Sequence, residues 1–73
     1  MIVSYNKLWK LLIDRSMKKK DLRIASGISS TTMAKLGRNK NVNTEILCKI
    51  CAVLQCDVGD IMEVTAEKSG DVL

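Results

Sequence analysis

The stretch from Lys19 to Leu36 constrains the fold of this chain more than any other part, because it encodes two short helices with almost nothing between them. Gly27 is expected to end the first helix, since glycine tolerates the positive φ angles found at helix C-termini. Ser29 is expected to cap the second helix, which runs about eight residues to Gly37. Ile28 is then a single apolar anchor inside the turn. The sequence therefore predicts two helices that cross steeply through a turn of three or four residues.

The residues before this pair predict another helix, from Tyr5 to about Arg15, with Ser4 as its cap. Its apolar stripe follows helical spacing and consists of Leu8, Trp9, Leu11, Leu12 and Ile13. Ala25 is expected to face inward from the helix that begins at Lys18. The angle between the two short helices is expected to be fixed by four side chains that pack in the core beneath their crossing, Leu22, Ile28, Met33 and Leu36.

The second half of the chain predicts two further helices, a fourth capped by Asn43 and a short fifth capped by Asp57. Two short apolar segments, residues 2–3 and 62–64, can pair as a two-stranded ribbon, within the chain or across a dimer. We therefore predict an all-α fold, a compact five-helix bundle over residues 1–64 with a short terminal β-ribbon as an addition. Residues 65–73 are polar and aperiodic, which predicts a flexible tail.

Positive charge is concentrated in the middle of the chain. Residues 15–40 hold eight basic residues and one acidic residue, whereas the rest of the chain holds four basic and seven acidic residues. A mixed surface would keep the protein in solution equally well, so this separation favours a polyanionic partner.

The three cysteines lie close together, and Cys48 and Cys51 form a C-x-x-C pair. A structural zinc site needs four thiolate or imidazole ligands, but the chain has three Cys and no His. A C-x-x-C redox motif would follow a strand, whereas the residues on both sides of this pair are predicted to form one continuous helix. We interpret Cys48, Cys51 and Cys56 as buried structural thiols and predict no metal and no cofactor.

The residues around the second short helix suggest how a polyanion would be bound. In a helix-turn-helix the second helix enters the DNA major groove, which is about 12 Å wide, and its first residues reach the bases. We predict that bases are read by Ser30, Thr31, Thr32 and Lys35. Contacts to the DNA backbone are predicted for Lys18, Lys19, Lys20, Arg23, Arg38, Asn39, Lys40 and Asn41.

At these residues the chain resembles the Cro/phage-repressor-type, or XRE-like, helix-turn-helix family. The likeness runs from about Tyr5 to Val64 and is strongest at Leu22 with residues 27–29, at residues 34–36 and at residues 47–62. The resemblance implies a five-helix domain, sequence-specific binding of double-stranded DNA and a homodimer on a palindromic operator. It also implies DNA contacts from Lys19, Ser30, Thr31 and Lys35, with backbone contacts near Arg38 and Asn41.

The expected function is a transcriptional regulator that binds double-stranded DNA. The alternative is a protein-interaction module of the same fold, such as an antitoxin or an anti-regulator. An enzyme is not expected, because there is no His, no Gly-rich phosphate loop and no helix that sets two acids opposite a nucleophile. No apolar run approaches the roughly 20 residues of a membrane span and no signal peptide is recognised, so a cytoplasmic location is expected. No small-molecule ligand is predicted.

Overall fold

The computed structural model describes residues 1–66 of the chain. Two short strands pair in antiparallel fashion, with Ile2 opposite Thr65 and Ser4 opposite Glu63. The ribbon therefore forms within the chain and includes Thr65, whereas residues 67–73 of the predicted tail lie outside the described residues. In chain order the elements are strand β1 (Ile2–Ser4), helices α1 (Asn6–Asp14), α2 (Lys19–Ser26), α3 (Ser30–Gly37) and α4 (Thr44–Leu54), a 3₁₀ turn (Val58–Asp60) and strand β2 (Glu63–Thr65).

Local capping signals set the helix starts. The Thr32 N–H donates to Ser29 Oγ at 3.1 Å, which confirms Ser29 as the cap of α3. Asn43 caps α4 in the same way, by accepting from an N–H of the first turn. The N-cap position of α1 is Tyr5, one residue later than expected, because Ser4 is held in β1 by its pairing with Glu63. The Ser4 hydroxyl still accepts from the Asn6 N–H, at 3.4 Å.

Side chains from all four helices and from the turns between them build one apolar core. α2 packs against α4, and α1 packs against the 3₁₀ turn. Burial of each large apolar side chain contributes about 1.5–3 kcal/mol, so this core is the main source of stability. Its fully or nearly buried members are Tyr5, Leu8, Leu12, Leu22, Ile28, Leu36, Ile50, Leu54 and Ile61.

Two side chains that were expected to face inward do not. Ile13 is 75% exposed, because it follows the buried Leu12 and is turned by about 100° around the helix axis. Ala25 is exposed as well. The apolar stripe of α1 is therefore narrower than predicted.

The predicted fifth helix is a single 3₁₀ turn, so the described residues contain four α-helices and a two-stranded sheet. The predicted cap at Asp57 is confirmed. Asp57 Oδ1 accepts from the Val58 N–H at 2.7 Å, and the Asp57 N–H donates to Asp60 Oδ2 at 3.0 Å. The helix stops because Ile61 is anchored in the core and the chain must already pair as β2 at Glu63. None of the helices in residues 1–66 is long and apolar enough to cross a membrane.

Candidate nucleic-acid interface

The crossing of α2 and α3 is fixed by one left-handed residue and a set of buried anchors. Gly27 has a φ of 76° and its N–H closes α2 by donating to the Arg23 carbonyl at 3.0 Å. Below the turn, Leu22 and Leu36 are fully buried and Ile28 is 4% exposed. Met33 packs on the same core as a half-buried side chain. This is the arrangement that the sequence predicted for the turn.

The outer face of α3 is polar and exposed. Ser30, Thr31 and Lys35 are all exposed, and Thr31 and Lys35 lie one turn apart on the same face. Ala34 is exposed beside them, and helical spacing from Thr31 would have identified it as a member of this face. Thr32 differs, because it is half-buried and its hydroxyl accepts from Ser29 Oγ at 3.0 Å. Thr32 therefore takes part in the cap of α3.

The start of α2 presents three exposed lysines at positions 18–20. The Lys18 N–H donates to Asp21 Oδ2 at 2.9 Å, so an acidic side chain closes the first turn of α2. Lys19 Nζ lies 4.4 Å from the centre of the Trp9 ring, a cation–π contact with α1. Arg23 stands near the end of α2 and is half-buried.

The loop after α3 exposes all four predicted backbone-contact residues, Arg38 to Asn41. Tyr5, the buried residue at the start of α1, holds this loop. Its hydroxyl donates to the Lys40 carbonyl at 2.9 Å, and its N–H donates to Asn39 Oδ1 at 3.2 Å. Burial raises the pKa of Tyr5, and a hydrogen bond with the Val42 backbone offsets part of that rise. The side-chain oxygen of Asn39 is thus engaged within the protein.

Both cationic regions contact the beginning of α1, one through Trp9 and the other through Tyr5. The Trp9 N–H donates to the Tyr5 carbonyl at 3.3 Å, so the residue that contacts Lys19 and the residue that holds the loop are one turn apart. A helical turn rises only about 5.4 Å. Within residues 1–66, none of the eight basic side chains between residues 15 and 40 pairs with a carboxylate, and the ion pair that does form is Lys7–Glu63. These cations are consequently available to an external anion.

Comparison with known families agrees with this geometry. A family model described as the Cro/C1-type helix-turn-helix DNA-binding domain matches residues 7–67. The chain belongs to this family. The match includes α2, the turn, α3 and the cationic loop, so the elements built above are those of a DNA-binding domain. Among curated proteins no match was found.

A solved structure extends this Cro/C1-type assignment. The crystal structure of the transcriptional regulator VanUg, Form II, is similar to this chain at 61% sequence identity and a TM-score of 0.88. The similarity covers 90% of this chain and 88% of VanUg. The two proteins therefore share the fold over nearly their whole lengths.

The cysteines of this Cro/C1-type domain lie on α4 and just beyond it. The expectation of buried thiols was wrong for Cys48, which is exposed because it is turned by about 200° from the buried Ile50. Cys51 and Cys56 are half-buried. Burial, followed by the neighbouring thiol of Cys56, raises the pKa of Cys51 to about 11. Beside them, a cavity of about 320 Å³ is lined by Thr44, Leu47, Cys48, Cys51, Asp57 and Val58.

Proposed function

We propose that this protein is a transcriptional regulator that recognises a specific double-stranded DNA sequence by inserting α3 into the major groove. The hydroxyls of Ser30 and Thr31 act as donors or acceptors toward base edges, and Lys35 reaches a guanine or a phosphate. Thr32 stands at the edge of this set, where its methyl group can touch a thymine methyl. Because the proposed target is double-stranded DNA, we propose that the protein acts in the cytoplasm.

The observation that carries this proposal is the exposed polar face of α3 on a crossing that the core holds rigidly. The inner face of α3 is anchored in the core by Leu36, together with Leu22 of α2 and Ile28 of the turn. The outer face of α3 is therefore presented in a fixed orientation. Rigid presentation favours base reading, because hydrogen bonds to bases require fixed geometry. The similarity to VanUg, a transcriptional regulator at 61% sequence identity, supports the same conclusion.

The cations on either side of α3 are proposed to bind the DNA backbone. Lys18, Lys19 and Lys20 stand at the start of α2, and Arg38 and Lys40 stand in the loop after α3. Contacts of this kind set the register of a protein on DNA without reading its sequence. Arg23 and Asn41 are proposed to add to them. For Asn39 the side-chain amide nitrogen is the group proposed to face DNA, because its oxygen accepts from Tyr5.

We further propose that the protein binds as a homodimer to a palindromic site. A single module of this size buries only about 600–1,000 Å² of its surface on DNA, which limits specificity. Two copies related by a two-fold axis would read two half-sites about 34 Å apart. Two apolar side chains of the ribbon are solvent-exposed, Ile2 at 41% and Val64 at 56%, and they lie on opposite faces of it. We propose that one of these faces takes part in the dimer contact.

Selection from a random duplex library tests the proposal. The expected result is an enriched motif with two-fold symmetry and half-sites one helical turn apart. Fluorescence anisotropy on that duplex should then show steep salt dependence, with log K falling by about 0.9 per phosphate contact for each tenfold rise in salt.

Lys49→Ala is the matched control, because Lys49 is an exposed lysine on α4, outside the cationic segment. It should leave the affinity and the salt slope within twofold of the starting protein. Failure to enrich any motif, or a salt slope near zero, would contradict the proposal. Retention of one stoichiometric protein without DNA binding would instead favour a protein-interaction module.

A further inference from the structure

Tyr5 directs two polar groups into one loop while its ring is buried in the core. The residue is 1% exposed and caps the start of α1. Its hydroxyl donates to the Lys40 carbonyl and its N–H donates to the Asn39 side chain, 35 and 34 residues along the chain. A phenylalanine ring would fill the same space, so the hydroxyl serves the loop and not the packing. This pairing fixes the loop to the first turn of α1.

The other backbone hydrogen bonds of the loop lie at its beginning, next to α3. Its beginning is tied to α3, since the Asn39 N–H donates to the Leu36 carbonyl at 3.1 Å and the Lys40 N–H donates to the Lys35 carbonyl at 2.9 Å. Beyond Lys40 the side chain of Asn41 is exposed, and the chain is next held at Val42, which is half-buried and packs against the core. The two hydrogen bonds from Tyr5 therefore add a further restraint on the loop at the point where the chain leaves α3.

We propose that Tyr5 is a positioning residue for DNA binding, which holds the loop of residues 38–41 so that Arg38 and Lys40 face the phosphates. The inference rests on the proposed function, because it assigns a role in the same interface. Ordering a mobile segment on binding costs conformational entropy and so reduces affinity. A segment that is already ordered in the free protein avoids this cost. Tyr5 contributes to affinity through the loop, without touching DNA itself.

A double-mutant cycle of Tyr5→Phe and Lys40→Ala tests the proposal on the selected duplex. Tyr5→Phe should weaken DNA binding by about threefold to tenfold, because it removes the hydroxyl that is hydrogen-bonded to the backbone of the loop. Lys40→Ala should weaken binding of the starting protein and lower the salt slope by about one phosphate contact. In the Tyr5→Phe background the same change should have a clearly smaller effect, since Lys40 is then no longer held in place.

Ile61→Val is the stability control, because it trims a fully buried side chain that lies outside the loop. It should lower the melting temperature and leave the salt slope unchanged. If Tyr5→Phe behaves like this control, or if the effect of Lys40→Ala is the same in both backgrounds, the positioning role is overturned and the proposed function stands. If the starting protein binds no duplex, both are overturned.

Asn39→Gly provides a second route if Tyr5→Phe fails to fold. Glycine accepts the φ of 56° at this position and removes the oxygen that Tyr5 donates to. Hydrogen exchange of the free protein should become faster in either variant at the amide of Lys40, which donates to the Lys35 carbonyl, while the Met33 amide in α3 keeps its protection. Unchanged exchange in the loop would overturn the proposal without any DNA measurement.

Discussion

The ammonium group of Lys19 lies 4.4 Å from the centre of the Trp9 ring, so the first turn of α2 is tied to α1 by a cation–π contact. Trp9 is half-buried, and its ring packs against the core while one surface remains available to the lysine. The contact restricts a long side chain that would otherwise sample many rotamers. Lys19 is thereby held close to the orientation in which we propose that it meets a phosphate.

Replacement of Trp9 by leucine should weaken DNA binding by about twofold to fivefold. The reason is the loss of about 0.5–1 kcal/mol of cation–π energy, which leaves Lys19 mobile. Trp9→Phe keeps an aromatic ring and should fall between leucine and the starting protein. Anisotropy titrations at fixed salt measure the affinities. Equal binding by the leucine and phenylalanine variants would show that the ring face has no part in orienting Lys19.

Lys35 and Lys19 should respond differently to truncation. Lys35→Ala removes a group on the outer face of α3, so it should reduce the preference for the selected sequence by about 1–3 kcal/mol. Lys19→Ala should weaken binding to selected and random duplexes alike and reduce the salt slope by about 1. Competition titrations with both duplexes give the two ratios. Identical losses on both duplexes for both variants would contradict this division of roles.

Gly27 and Gly37 form a matched pair for testing the turn. Neither has an atom within 4 Å of an added Cβ, so an alanine has space at both positions. Gly27 has a φ of 76°, and Gly27→Ala should destabilise the protein by about 1–2 kcal/mol through backbone strain alone. Gly37 ends α3, and Gly37→Ala should be neutral or stabilise by about 0.5 kcal/mol. Urea unfolding measures both; a loss of similar size at Gly37 would contradict the strain argument.

The turn between α2 and α3 could be predicted because its signals are local. Gly27 needs a positive φ, Ser29 caps within three residues, and Ile28 is the one large apolar residue between them. Each signal is decided by a few adjacent side chains, which the sequence displays directly. The exposure of Ser30, Thr31 and Lys35 then follows from helical spacing.

Contacts between distant parts of the chain could not be predicted in the same way. The bonds from Tyr5 to Asn39 and Lys40 join residues that share no periodic pattern, and nothing near Tyr5 marks the partner. The prediction of a fifth helix was wrong for a related reason. The side chain of Asp57 caps a 3₁₀ turn as well as it caps an α-helix. The helix ends after one turn because Ile61 is buried in the core and Glu63 pairs with Ser4, at the other end of the chain, and both contacts are long-range.

The half-buried thiol of Cys51 should make folding stability fall at high pH. Its pKa is raised from an ordinary value of 9.0 to about 11, because burial and the neighbouring Cys56 disfavour the thiolate. Above about pH 9 the unfolded chain loses this proton while the folded chain keeps it, so the contribution of Cys51 is lost as the pH rises towards about 11. Cys51→Ala should therefore lose less stability than the starting protein over this window, measured by urea unfolding. Cys48→Ala, at an exposed position on the same helix, should change the pH profile much less, because Cys48 is the smallest of the influences that raise the pKa of Cys51. If it matches Cys51→Ala, burial is not the cause.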